Sequence, residues 1–265
     1  MPDIKSLAKE VWPFVVEMRR DFHRHPEPSY HEFRTTDRIA EELDKMGIPY
    51  RRFEPTGLLG EIVGGKPGKC IALRADIDAL SVKENTGLEY ASENEGFMHA
   101  CGHDTHAAML LGAAKILSAV KDELCGTVKL MFQPAEELGS GAKTIIAQGA
   151  LEGVDAAFGM HIFSQAPAGV VCMTPGVILP AADSYKLCVE GVTCHGAEPN
   201  RGVDATVAAA AIVMNLQTIA SREFSPLEPV VVTVGSLHSG TRFNVVSNHA
   251  ELEGTVRLFD EEMHR

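Results

Sequence analysis

The sequence predicts an α/β protein of two domains, and three observations carry that expectation. Runs with helical spacing alternate with short apolar runs of strand length from residue 4 to residue 162. A composition of 45% hydrophobic and 23% charged residues with 24 glycines is that of a globular chain rather than a disordered or fibrous one. Residues 165–182 are then rich in Pro, Gly and Ala, and a different order of elements follows them. At 265 residues there is room for a large core and for more than one domain, expected over 1–180 and 181–265.

Taken in order, Ile4, Leu7, Ala8, Val11, Val15 and Met18 recur at helical spacing and predict a helix from residue 4 to about 24, ending near His25-Pro26. His23, His25 and Glu27, at and just past its end, read as surface groups rather than ligands. Phe33, Ile39, Ala40, Leu43 and Met46 predict a second helix over Glu32–Met46, closed by Gly47. Gly60–Val63 and Cys70–Arg74 read as strands split by a turn at Gly64-Gly65-Lys66-Pro67-Gly68, which lacks the spacing of a phosphate-binding loop. Past the second strand, Asp76 or Asp78 could partner a metal-bound histidine or cap the strand end, and Asp76 is taken as the candidate. Thr127–Phe132 predicts a strand, Gly141–Leu151 a helix and Ala156–Ile162 a strand. Beyond the boundary, strands at Ser184–Glu190, Pro229–Ser236 and Glu251–Phe259 and a helix at Val203–Arg222 suggest a small α+β module with an antiparallel sheet.

The net charge of −12 disfavours non-specific binding to nucleic acid or anionic membranes. Six scattered cysteines in a chain this large suit a reducing compartment better than a disulfide framework. The start, Met1-Pro2-Asp3-Ile4-Lys5-Ser6, has no apolar signal core and no stretch approaches bilayer-spanning length, so a cytoplasmic location is expected.

The chemistry concentrates in Met98-His99-Ala100-Cys101-Gly102-His103-Asp104-Thr105-His106, directly before an apolar helical stretch. Cys101 and His103 are two apart, so in an extended segment they point the same way, and a thiolate with an imidazole suits a borderline ion such as zinc. The cluster alone leaves three other readings open: a buried structural cysteine, His and Asp as helix caps, or a cysteine nucleophile paired with a histidine. Glu136-Glu137 end the Thr127–Phe132 strand, where paired carboxylates repel unless a cation or a shared proton relieves them. One could bind an ion while the other moves protons. His161 ends the next strand, a third strand end with a metal-compatible group. In the second module His195 and Asn244 are the distinctive polar groups, and either could be a turn residue.

Five ordered stretches, Arg74–Leu80, Met98–His106, Phe132–Glu137, Gly159-Met160-His161 and Cys194–Pro199, resemble the dinuclear-metal aminoacylase and carboxypeptidase superfamily. Within it they are most similar to the amidohydrolase branch of hippurate hydrolases, N-acyl-amino-acid deacetylases and auxin-conjugate hydrolases. The resemblance implies a mixed-sheet metallo-hydrolase catalytic domain with an inserted α+β lid domain that makes a homodimer. It implies two divalent ions (Mn, Zn, Co or Ni) on Cys101, His103, Glu137 and His161, and Glu136 as general base. It further implies His195 as the lid histidine on the substrate carbonyl and Asn244 as a lid residue near the substrate. The expected reaction is hydrolysis of the amide bond of an N-acyl amino acid or similar conjugate. The alternatives are a dipeptidase or carboxypeptidase of the same superfamily, or a truncated, catalytically silent member. A thiol hydrolase using Cys101 stands behind both.

Two departures from the pattern bear on this. Gly191-Val192-Thr193-Cys194 replaces a glycine-rich turn and Asn200 stands where a second histidine is common, which bears on substrate range. The family pattern also continues past the position of Arg265 with a segment supplying one more histidine ligand, so a fragment, a truncated product or half of a split protein is expected.

Overall fold

A computed structural model describes residues 3–260, 262 and 263. Met1 and Pro2 of the amino-terminal stretch, and Glu261, His264 and Arg265 at the other end, lie outside the described residues. The chain divides into two compact units, Met1–Gly169 and Val170–Arg265.

The first unit opens with α1 (Ile4–Arg24), capped where the Asp3 carboxylate accepts the Lys5 N–H, and α2 (Phe33–Met46). The first turn of α2 has its free N–H groups answered by Glu27, whose carboxylate accepts from Arg34 N at 3.0 Å and Thr35 N at 2.7 Å. At the other end Gly47 takes φ 67° and Ile48 N–H returns to Leu43 C=O at 3.0 Å, a closure that needs glycine's left-handed freedom.

Strands β1 (Tyr50–Arg52), β2 (Leu58–Val63), β3 (Lys66–Asp76), β4 (Cys125–Gln133) and β5 (Ala156–Gly159) form one mixed sheet in the order β1-β2-β4-β3-β5. The outer strands β1 and β2 run antiparallel, whereas β4, β3 and β5 run parallel to one another. β4 is inserted between β2 and β3. The expected turn is consequently shorter than Gly64–Gly68: only Gly64 and Gly65 turn, hydrogen-bonded to Gly126 C=O and Lys121 C=O, and β3 begins at Lys66.

β4 is buried on both faces, as a strand with a parallel neighbour should be. Val128, Leu130 and Phe132 join α1, α2 and α3 (His103–Ala119) in the main core, and Met131 faces the smaller core with Phe53, Leu59, Ala72 and Ile145. Helices α1 and α3 approach closely because Gly112 has no side chain, since a Cβ there would stand 2.5 Å from Val15 Cγ2. Burial of so many side chains of this size, at roughly 1.5–3 kcal/mol each, is what sets the sheet and helices as one frame. The helix α4 (Gly141–Ala147) is shorter than the expected 141–151, its last residues forming turns that include Gly149 at positive φ.

The second unit has β6 (Ala181–Glu190), β8 (Val230–Ser239) and β10 (His249–Leu258) in an antiparallel sheet of order β6-β10-β8. Helix α5 (Ala205–Thr218) packs on it through Ala205, Ala209, Ala250 and Leu252, with its first N–H groups capped by Asp204. Residues Ile219–Glu223 continue as a π turn rather than the α-helix expected to Arg222. Two short strands not expected from the sequence, β7 (Cys194–His195) and β9 (Val245–Val246), pair with each other. Among the described residues no helix is long and apolar enough to cross a membrane.

Gly141 fixes the loop after β4, because a Cβ there would lie 1.7 Å from the Pro134 carbonyl oxygen. Gly141→Ala should destabilise the first unit by about 1–3 kcal/mol in chemical denaturation. Gly159→Ala, whose nearest neighbour is Arg74 Cδ at 3.6 Å, should cost less, and equal losses would contradict this packing.

Candidate metal centre

Because β4, β3 and β5 are parallel, their carboxyl ends lie along one edge of the sheet, and each is followed by residues with metal-compatible side chains. Past β4 come Glu136 and Glu137, past β3 comes Asp78, and past β5 comes His161. Helix α3 begins at His103 beside them.

Cys101 and His103 do not converge through an extended segment, as their spacing suggests. Gly102 has φ 91° and ends the loop, so His103 is already helical while Cys101 lies outside the helix. A Cβ on Gly102 would stand 2.4 Å from Ile162 Cδ1, so the turn packs directly on the segment that carries His161. Cys101 Sγ and His161 Nε2 are 3.3 Å apart.

His103 is completely buried, and its Nδ1 donates to the Asp78 backbone carbonyl at 2.9 Å, with Asp78 Oδ1 at 3.2 Å. That fixes the proton on Nδ1 and leaves Nε2 as a lone pair. Nε2 lies 3.8 Å from Glu136 Oε2 and 3.9 Å from Glu137 Oε1. Asp78 is held in turn by Ser29 Oγ at 2.7 Å and Glu137 N at 3.1 Å. Asp78 therefore orients His103, whereas Asp76, taken as the candidate from sequence, faces Arg74 and His106.

His106 has no role assigned from sequence. Its Nε2 accepts the Ile162 N–H at 3.2 Å, so its proton sits on Nδ1, which faces Asp76 Oδ2 at 3.5 Å. The signal for it is its spacing, three residues after His103 on the same face of α3. His23, expected at the surface, is buried because it falls on the inward face of the last turn of α1, next to Phe22. Its Nδ1 bonds Asp104 Oδ2 at 2.8 Å, and Arg19 Nε reaches the same oxygen at 2.9 Å. Asp104 thus serves these groups rather than capping α3.

The donors fit a divalent cation. Three groupings share His103 and place their ligand atoms within 4.8 Å of one another: Cys101, His103 and His161; Asp76, His103 and His106; His103, Glu136 and Glu137. His103 Nε2 and Glu137 Oε1 are buried with no hydrogen-bond partner, a condition proteins rarely leave uncompensated. Burial, then the nearby charges of Glu137, Glu136 and Asp76, push the Cys101 thiol up to about 12. Burial, with Asp76 and Glu137, also raises Glu136. A dication reverses the first effect, since a coordinating thiol is deprotonated by the ion it binds.

In the second unit His195 lies opposite Val245 in the β7–β9 pair, and Gly196 N donates to Asn244 C=O at 2.8 Å, which brings His195 and Asn244 together in one short ladder. His195 Nδ1 accepts the Ala197 N–H at 3.1 Å, leaving Nε2 as the donor nitrogen. Asn244 Oδ1 is buried without a partner.

Soft and hard donors delivered to one edge of a mixed sheet, with adjacent glutamates among them, are the means by which metal-dependent hydrolases hold an ion and keep a base beside it. The chain belongs to peptidase family M20/M25/M40, which matches residues 72–259. It is 42% identical over 262 residues to thermostable carboxypeptidase 1 of Saccharolobus solfataricus, covering 97% of this chain and 67% of that protein. It is 44% identical over 270 residues to the N-acetyl-L-cysteine deacetylase of Bacillus subtilis, covering 98% and 65%. The crystal structure of the YXEP protein of Bacillus subtilis, a dinuclear metal binding peptidase from the M20 family, superposes with a TM-score of 0.80 at 37% identity, over 98% of this chain and 67% of that one. The chain thus spans about two thirds of the length of these relatives.

The buried His23 pair carries a pH dependence of stability. The hydrogen bond to Asp104, against the opposing effect of burial, raises His23 above its ordinary value. Its stabilising contribution is therefore complete below the unfolded histidine value of about 6.5 and disappears as pH rises through the elevated folded value. His23→Gln should cost more stability at pH 6 than at pH 9 in urea denaturation. Equal costs at the two values would refute the assignment.

Proposed function

We propose that the chain is the metal-binding part of an amidohydrolase that cleaves the amide bond of N-acyl amino acids or similar conjugates with an activated water. The observation that carries this reading is the unpartnered, buried pair of His103 Nε2 and Glu137 Oε1 beside Cys101 and His161. Cys101, His103, Glu137 and His161 would hold two divalent ions of the Mn, Zn, Co or Ni kind. Such ions, when bound, lower the pKa of a water from about 15.7 towards about 7.

The remaining work falls to the chain. Glu136 is not needed as a ligand in this arrangement, and its carboxylate, 3.8 Å from His103 Nε2, stands beside the ligands free to act as the base. It takes the proton of the attacking water at its carboxylate and returns it to the leaving amine, so the amide C–N bond breaks as the amine nitrogen is protonated. His195, with its proton on Nε2, donates to the substrate carbonyl oxygen as negative charge develops there, a role in which one donor is typically worth ~10²–10³ in rate. Asn244 would contact the substrate from the same ladder.

The deacetylase relative supports acetylated amino acids as the substrate class, and the carboxypeptidase relative supports a peptide bond as the second reading. Side-by-side assay of N-acetyl amino acids and dipeptides separates the two. The reading also includes a cytoplasmic location, which the six free cysteines suit, and a homodimer formed through the second unit.

Glu136→Gln should lower hydrolysis by at least about 100-fold while leaving metal content unchanged, and Glu137→Ala should lower metal content itself. Elemental analysis and the hydrolysis assay read both. Unchanged turnover in Glu136→Gln would remove it as the base. Metal binding without any turnover in the unaltered chain would favour a silent metal-binding fold.

A further inference from the structure

Glu32 is completely buried and raised by that burial, yet from the N-cap position of α2 its side chain makes no cap hydrogen bond, and it has no place in the chemistry above. A carboxylate is kept in such surroundings only when its oxygens are used. Oε2 accepts the Thr56 hydroxyl at 2.5 Å and Oε1 accepts the Ala135 N–H at 2.8 Å. Ala135 is itself unusual. It is buried and, though not glycine, has φ 49°, in the left-handed region that a side chain enters only where its surroundings impose it.

The loop that follows is held at a second point, where Glu137 N–H donates to Asp78 Oδ2 at 3.1 Å. Between the two anchors lies Glu136, and beyond them Ala135 C=O accepts from Gly141 N at 3.1 Å. The peptide that reverses the chain out of β4 is thus fixed by a side chain 103 positions earlier in the sequence.

We propose that Glu32 is a positioning residue: by accepting the Ala135 N–H it holds Ala135 in the left-handed conformation that turns Glu136 and Glu137 together toward His103. The effect on metal affinity rests on the metal-centre reading above, whereas the effect on the loop does not. Two measurements on the whole chain keep them apart. Zn2+ affinity by calorimetry reads the site, and hydrogen exchange of the Glu137 amide without metal reads the loop.

Glu32→Ala should weaken Zn2+ binding by roughly 10- to 100-fold and speed exchange at Glu137. Glu32→Gln keeps an oxygen for Ala135 N–H and should stay near the unaltered chain in both. The decisive variant adds Ala135→Gly to Glu32→Ala. Glycine adopts positive φ without support, so affinity and Glu137 protection should both recover even where the thermal midpoint does not. If the double variant is no better than Glu32→Ala in either readout, or if Glu32→Ala changes neither, the proposal is wrong. Should Glu32→Ala fail to fold, Glu32→Asp, which withdraws the carboxylate by one methylene, is compared in its place with the same expectations. A chain that binds no Zn2+ at all overturns the metal-centre reading, and exchange at Glu137 then decides the positioning role alone.

Discussion

The first unit is built around an electrostatic debt at the edge of its sheet. A thiol, three imidazoles and the carboxylates of Glu136, Glu137 and Asp76 crowd together, and the Cys101 thiol is pushed up to about 12 by burial and by those carboxylates. Like charges this close favour protonation or a counter-ion. Two of the atoms, His103 Nε2 and Glu137 Oε1, have no hydrogen-bond partner in the fold. A divalent cation answers both conditions together.

The surrounding structure serves to keep those donors aimed. Asp78 sets the tautomer of His103 and receives the Glu137 amide, so one carboxylate orients groups following two different strands. His106, backed by Asp76, receives the Ile162 amide next to His161. Gly102 and Ala135 take left-handed backbone conformations that an ordinary extended or helical residue would not, and Gly141 leaves the room for the Pro134 carbonyl that a side chain would fill. Supports of this kind fix a site before its ligand arrives, which is how a binding centre avoids the cost of ordering itself.

Legibility in the sequence followed the range of the interactions. Helices α1 and α2 could be read from apolar spacing and from Gly47, because period and cap are local. The donors could be read because three strand ends repeat the same chemistry, and the ordered motifs add a family resemblance that the match over residues 72–259 bears out. Strand order could not be read, since β4 enters between β2 and β3 by pairing across long separations. The spacing of Cys101 and His103 misled because Gly102 turns the chain between them. His23 looked like a surface group at a helix end and is buried there, and Asp78 was indistinguishable from Asp76 until the strand was seen to end between them. Glu32 left no local trace, its partners being 24 and 103 positions away.

The central claim is that sulfur and nitrogen donors from separate elements share one ion. X-ray absorption at the zinc edge of the Zn2+-loaded chain tests it most directly. A sulfur scatterer at about 2.3 Å is expected together with nitrogen or oxygen at about 2.0–2.1 Å, the sulfur being lost in Cys101→Ser. A shell of nitrogen and oxygen alone in the unaltered chain, or a sulfur shell that survives Cys101→Ser, would contradict it.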